Sequence, residues 1–335
     1  MSDWHIFRGS SQPHDAIKQL APPPPWRRFD LRRELDGDLV EDPELKRRFK
    51  AAPFQSTERE VAVVNTAIYL RRPLLITGKP GTGKTTLAYA IAHELKLGRV
   101  LVWPITSRST LNEALYRYDA IGRLQEANLP KYRNASETPD IGQFIRLGPV
   151  GTALLPQKYP RVLLIDEIDK SDVDLPNDLL HVLEDGRFEV PELKRVAEET
   201  VSVFTDDGEA RAPITRGEVR CHAFPIVVLT SNGEREFPPP FLRRCIRLNI
   251  PEHSPEKLGK IVDSYFEEDH PADEERKKLI EDFLARRARG DLATDQLLNA
   301  IYLTRYGFAL DASIPPSPDD KLVDTILQQL NSPGA

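Results

Sequence analysis

Eight consecutive residues, Gly78-Lys79-Pro80-Gly81-Thr82-Gly83-Lys84-Thr85, carry the spacing G-x-x-x-x-G-K-[ST] that suits a polyphosphate. Glycines let the backbone approach a phosphate and turn successive N–H groups into one concavity. In such a cradle Gly78, Pro80, Gly81, Thr82 and Gly83 shape the loop, and Thr86 opens the helix behind it. Lys84 would reach the β- and γ-phosphates, and the Thr85 hydroxyl would ligate Mg²⁺. A second group of chemical residues follows an apolar run, in Val162-Leu163-Leu164-Ile165-Asp166-Glu167-Ile168-Asp169. Asp166 would hold the hydration shell of Mg²⁺, and Glu167 would orient or deprotonate an attacking water. A strand ending in acids is common by itself. Paired with the glycine-rich loop it implies a site for a nucleoside triphosphate with Mg²⁺.

The elements that must position these residues are legible on both sides. Pro73–Thr77 is a short apolar run suited to a buried strand, and Thr86–Leu95 has apolar residues at helical spacing, with Gly98 as its stop. The N-terminus of that helix would aim its positive dipole end at the phosphates. A helix over 56–72 leads into the first strand, and Arg99–Thr106 is a second strand. Thr110–Tyr118 reads as a helix inside a long, Gly- and Pro-punctuated connection that runs to about Leu155. Ala223–Asn232 and Ile246–Ile250 are further strands. Continuous apolar strands are buried on both faces, and ligands of such sheets collect at strand C-terminal ends. Beyond Pro251 the signal is helical, beginning at Ser254-Pro255 with Leu258, Ile261, Val262, Tyr265 and Phe266 on one face. Further helices are expected over Asp273–Arg289, Thr294–Tyr306 and Lys321–Leu330.

Composition bounds the rest. The 335 residues suffice for one large domain or two unequal ones. A net charge of −6 does not favour nucleic acid or anionic membranes as partners. Two cysteines in unrelated settings give neither a disulfide framework nor a metal spacing, which suits a reducing cytoplasm. No apolar run approaches the roughly 20 residues of a membrane span. The first 55 residues form an extension with a short helix at Asp15–Leu20, a polyproline stretch at Pro22–Pro25, and aromatics at Trp4, Phe7, Trp26 and Phe29. Those aromatics are expected to pack on the chain's own domain rather than on a neighbouring subunit.

The pairing of GKPGTGKT with VLLIDEID resembles the AAA+ ATPases. The stretch around Arg146–Leu155, and Lys170-Ser171-Asp172 followed by Leu179–Arg187, resemble the MoxR-type branch of that family. The resemblance implies a five-stranded parallel α/β core over 56–250, with inserts near 107–155 and 188–222 and a helical lid over 251–335. The first insert corresponds to a helix-2 insert and the second to a hairpin ahead of sensor 1. The resemblance also implies roles by position. Asn232 stands where sensor 1 helps place the lytic water. Arg244 stands at the position of the arginine finger, which enters a neighbouring subunit's site, although an arginine, Arg243, replaces the usual acid before it, so either could be the finger. Arg289 best matches sensor 2, with Arg286 and Arg287 as competitors.

The function implied is Mg²⁺-dependent ATP hydrolysis by a homo-oligomeric, hexameric ring that remodels a client protein, often a von Willebrand factor A domain protein in the MoxR branch. The alternative is a slow-hydrolysing nucleotide switch that signals by assembly state. Both need the same loop, and Glu167, Asn232 and Arg244 favour turnover. A GTP-specific or DNA-acting relative ranks last, because no N-K-x-D stretch is present and the charge is negative.

Overall fold

The sheet at the centre of the molecule is built from runs whose residues alternate between two buried faces. The computed structural model describes residues 5–24, 56–128 and 139–265, together with 280–281, 283–286, 296–299 and 301. Helix α1 (Glu58–Leu70) starts on a capping box, in which the Thr57 side chain accepts from Glu60 N and the Glu60 carboxylate accepts from Thr57 N. It delivers the chain to β1 (Leu74–Thr77), and the phosphate-type loop then opens α2 (Lys84–Glu94) and leads to β2 (Leu101–Pro104). A first excursion follows: α3 (Leu111–Leu115), β3 (Tyr116–Tyr118), α4 (Ala120–Ala127), β4 (Ile145–Leu147) and α5 (Pro149–Ala153). The chain returns through β5 (Val162–Asp166) and α6 (Leu175–Asp185). A second excursion supplies β6 (Arg187–Glu189), β7 (Thr200–Phe204), β8 (Arg211–Thr215) and β9 (Glu218–Arg220). The core closes with β10 (Ile226–Ser231), α7 (Pro239–Arg244) and β11 (Ile246–Asn249), and α8 (Pro255–Tyr265) follows.

The five core strands pair in the order β11-β1-β10-β5-β2, every pair parallel. Leu75, Leu163, Ile165, Val227 and Leu229 face one hydrophobic cluster, whereas Leu74, Ile76, Val162, Leu164 and Val228 face the other. Each such side chain, wholly removed from water, contributes about 1.5–3 kcal/mol, so the sheet is held from both sides. This is the parallel α/β sheet flanked by helices that the sequence implied.

The two excursions meet. Their short strands form one second sheet in the order β3-β4-β7-β8-β9-β6. The helix expected over 110–118 ends at Leu115, because Tyr116–Tyr118 pairs antiparallel with Ile145–Leu147 instead. Tyr116 Oη donates to Glu192 Oε2 at 2.9 Å, joining the two excursions, and burial with that bond pushes its phenol up to about 12. The β7–β8 hairpin turn is fastened to the base of the core sheet. Buried Arg161 makes a two-pronged ion pair with Asp207 (2.6 and 2.8 Å), and Arg99 Nη1 donates to Asp206 O at 2.7 Å.

The described part of the N-terminal segment packs into the core on the side of α2. Ile6, Phe7, Ala16 and Ile17 join the cluster of Val64, Ile68, Leu87 and Ile91. The expected helix at Asp15–Leu20 is a 3₁₀ turn, Ala16–Gln19. Trp4, Trp26 and Phe29 lie outside the described residues. At the other end, Leu258 and Val262 of α8 pack with Ile280, Phe283, Leu297 and Ile301 in a separate small cluster. The segment expected over Lys321–Leu330 lies outside the described residues.

Two polar side chains anchor the N-terminal segment. Asn65 Oδ1 accepts from Ile6 N and Phe7 N, and its Nδ2 donates to Phe7 O. The carboxylate of Glu94, fully buried at the end of α2, accepts from the amides of Arg8, Gly9, Ser10 and Ser11. A hydrogen bond to a charged group contributes about 1.5–3 kcal/mol. Glu94→Ala is therefore expected to lower unfolding stability by about 2–4 kcal/mol and to expose residues 5–20 to protease. Urea unfolding with limited proteolysis checks this, and an unchanged midpoint would show that the clasp is dispensable.

Candidate nucleotide-binding site

The glycine-rich loop joins β1 to α2 and takes its shape from residues without a Cβ. Gly81 and Gly83 have φ of 74° and 82°. A Cβ on Gly78 (φ 155°) would stand 2.5 Å from the carbonyl oxygen of Ile250. Only glycine accepts such conformations and contacts freely. Lys79, Pro80, Gly81 and Thr86 are exposed, whereas Thr82 and Lys84 are buried. Thr82 Oγ1 donates to Lys79 O at 2.8 Å, closing the loop on itself. Lys84 Nζ donates to the carbonyls of Gly78 and Lys79, at 2.7 and 2.8 Å. Burial pulls the Lys84 ammonium below its usual range, and the carboxylates of Asp169, Asp166 and Glu167 oppose that shift.

The acids approach this loop because β10 pairs with both β1 and β5. Thr85 Oγ1 donates to Asp166 Oδ1 at 3.0 Å, so the loop's hydroxyl and the first acid meet. Glu167 has φ 59° and ψ 49°, a left-handed conformation that a non-glycine residue resists, and such strain collects at functional sites. Its carboxylate is held at both oxygens: Asn232 Nδ2 donates to Oε1 at 3.1 Å and Lys170 Nζ to Oε2 at 2.6 Å. That bond to Glu167 holds the Lys170 ammonium above its usual range. Thr85, Asp166, Glu167 and Asn232 therefore form one connected group.

Three further residues belong to this group and carried no assigned role in the sequence. Thr230, 1% exposed, donates to Asp166 Oδ1 at 2.6 Å and accepts from Glu167 N at 2.8 Å. Asp169, 5% exposed, accepts at Oδ2 from the amides of Asn232 and Glu234, at 2.9 and 3.1 Å. Its Oδ1 is buried without a hydrogen-bond partner among the described residues. Lys170 is the third. The available signals were a hydroxyl at the end of an apolar strand and charges three residues beyond an acid.

Of the expected arginines, Arg243 and Arg244 stand at the end of α7. Arg244, at the end of α7, donates through Nε to Glu184 of α6 at 2.5 Å. Arg243 is exposed, and its carbonyl accepts from Arg72 at 3.3 Å. Neither bonds Lys84, Asp166 or Glu167. Arg286 is half-buried, and Arg287 and Arg289 lie outside the described residues.

A family model described as AAA domain (dynein-related subfamily) matches residues 73–245, just over half of the chain. The chain belongs to this AAA family. The match begins at β1 and ends after the Arg243-Arg244 pair, so it includes the loop, both acids and Asn232. Among solved structures this AAA protein is similar to NtrX from Brucella abortus in complex with ADP, at 14% identity and a TM-score of 0.40 over 82% of this chain and 54% of that one. The same protein in complex with ATP gives 15% identity and a TM-score of 0.39 over 88% and 57%. The chain thus spans just over half the length of these neighbours. No curated protein matches the sequence.

The oxygen donors suit a hard cation. Asp166 supplies a carboxylate and Thr85 a hydroxyl, the donor types of a Mg²⁺ site completed by phosphates and water. No cluster of three or more His, Cys, Asp or Glu among the described residues would hold a metal by itself. Replacing the buried ammonium in Lys84→Ala is expected to weaken binding of a fluorescent ATP analogue at least about tenfold, since a charge-assisted hydrogen bond contributes about 1.5–3 kcal/mol. Equilibrium titration checks it; wild-type affinity would remove Lys84 from the site.

Proposed function

We propose that the chain is a Mg²⁺-dependent ATPase of MoxR-like type that assembles into a ring and remodels or activates a client protein. The observation that carries the reading is the linked set Thr85–Asp166–Thr230–Glu167–Asn232, which unites the ends of β1, β5 and β10 with the phosphate loop. In this reading the loop amides and Lys84 hold the β- and γ-phosphates. Thr85 and Asp166 would hold Mg²⁺, which neutralises phosphate charge when bound. Glu167 takes the proton of the attacking water, and Asn232 fixes the carboxylate that does so. An arginine of a neighbouring subunit, Arg244 or Arg243, stabilises charge on the transferred group. The need for that arginine is the reason for proposing a homo-oligomer, a hexameric ring by the family resemblance. The client is proposed by the same resemblance to be a protein, of von Willebrand factor A type.

ATP turnover is expected to rise more steeply than linearly with protein concentration. Glu167→Gln and Arg244→Ala should each bind ATP without hydrolysing it, and mixing the two should restore part of the activity at junctions that pair an intact Glu167 with an intact Arg244. Flat specific activity with no recovery on mixing would sink the shared site. If Arg243→Ala is the inactive variant, the finger is Arg243.

One observation favours the slower switch as a second reading. Lys170 Nζ sits 2.6 Å from Glu167 Oε2, so the ammonium occupies a carboxylate oxygen that a water would otherwise approach. If that pair restrains hydrolysis, Lys170→Met raises kcat; a fall in kcat would instead make Lys170 part of the productive arrangement.

A further inference from the structure

We propose that Thr230 is a positioning residue, whose single hydroxyl sets both acids of the site at once. The inference rests on the ATPase reading above. A hydroxyl has one proton to give and lone pairs to accept with. A carboxylate can only accept, so the Thr230 proton goes to Asp166 Oδ1, at 2.6 Å, and the oxygen accepts from Glu167 N, at 2.8 Å. Thr85 gives its proton to the same Oδ1, at 3.0 Å. Two hydroxyls, one from the start of α2 and one from β10, thus meet at one oxygen of the Asp166 carboxylate, and among the described residues Oδ2 takes no hydrogen bond. The bond to Glu167 N works on the backbone. Glu167 lies at φ 59°, and its amide is held on the Thr230 oxygen within that strained turn. The turn in turn directs the Glu167 carboxylate to Asn232, two residues beyond Thr230.

Thr230 is suited to this task by type and place. It is 1% exposed on β10, the strand that pairs with both β1 and β5, and its register partner on β1 is Ile76. A β-branched side chain is stiff about χ1, so the hydroxyl has little freedom. Serine preserves the bonds with more rotational freedom, whereas valine preserves the shape and loses both.

The test uses the full chain with Thr230→Val and Thr230→Ser. Three quantities are read: affinity for a fluorescent ATP analogue without divalent metal, the gain in that affinity on adding Mg²⁺, and kcat and KM for ATP. In Thr230→Val the metal-free affinity is expected to hold, the Mg²⁺-dependent gain to shrink with a matching rise in KM, and kcat to fall about 10–100-fold, the usual effect of removing a group that orients a metal ligand. Thr230→Ser should recover most of both losses. Wild-type Mg²⁺ gain and kcat in Thr230→Val would overturn the inference, as would a Thr230→Ser as defective as Thr230→Val. If Thr230→Val loses metal-free binding through misfolding, Thr230→Ala serves as the hydroxyl-free partner in the same comparison with Thr230→Ser. Wild-type protein and Glu167→Gln are run alongside. No ATP turnover by the wild type removes the ATPase reading itself, wild-type turnover in Glu167→Gln removes Glu167 as the base, and an inactive Glu167→Gln beside a normal Thr230→Val removes only the role of Thr230.

Discussion

The insertion of β10 between β1 and β5 is the constraint on which the site depends. The phosphate loop leaves the end of β1 and the acid pair leaves the end of β5, and those strands do not touch each other. What brings their chemistry together is the strand hydrogen-bonded to both, whose end carries Thr230 and Asn232. Parallel pairing puts all three C-terminal ends on the same edge, and the hydroxyl bridges span the remaining gap. A residue at the end of β10 therefore acts on loop and acids together.

Much of this was legible in the sequence, for a physical reason. Strands buried on both faces must be apolar at consecutive positions, so Leu74–Ile76, Val162–Ile165 and Ile226–Leu229 stand out. The loop announces itself because a backbone with φ of 74° and 82° at Gly81 and Gly83 demands glycine. The second sheet was hidden. Strands of three residues such as Tyr116–Tyr118 and Arg187–Glu189 are too short to show a period, and their pairing joins segments far apart in the chain. At Thr110–Tyr118 the helical pattern lost to that long-range pairing after Leu115. Thr230 was hidden differently: a hydroxyl in a strand has no signature until its neighbours across the sheet are known. The pairing of Arg244 with Glu184 likewise depends on how α6 and α7 meet.

The N-terminal segment shows how a polar group can serve as a foundation. Glu94 closes the helix that begins with Lys84, and its buried charge is satisfied by amides of a segment some 80 residues earlier. Four donors converging on one carboxylate resemble the arrangement by which backbone amides hold anions elsewhere, here with the anion supplied by the protein. The two ends of α2 are thus occupied in opposite senses: the N-terminal end faces the phosphate loop, and the C-terminal end is moored to the amides of residues 8–11.

β5 has a comparable two-ended character. Just before it, Arg161 grips Asp207 of the hairpin turn, and at its far end Asp166 meets Thr85 and Thr230. At about 3.3 Å per residue the five-residue strand is a rod roughly 17 Å long, clamped along its length by β10 and β2. A rod clamped in this way transmits displacement without stretching. The hairpin turn and the acid pair thus stand at the two ends of one stiff member, which ties the second sheet to the nucleotide site at a separation of one strand length.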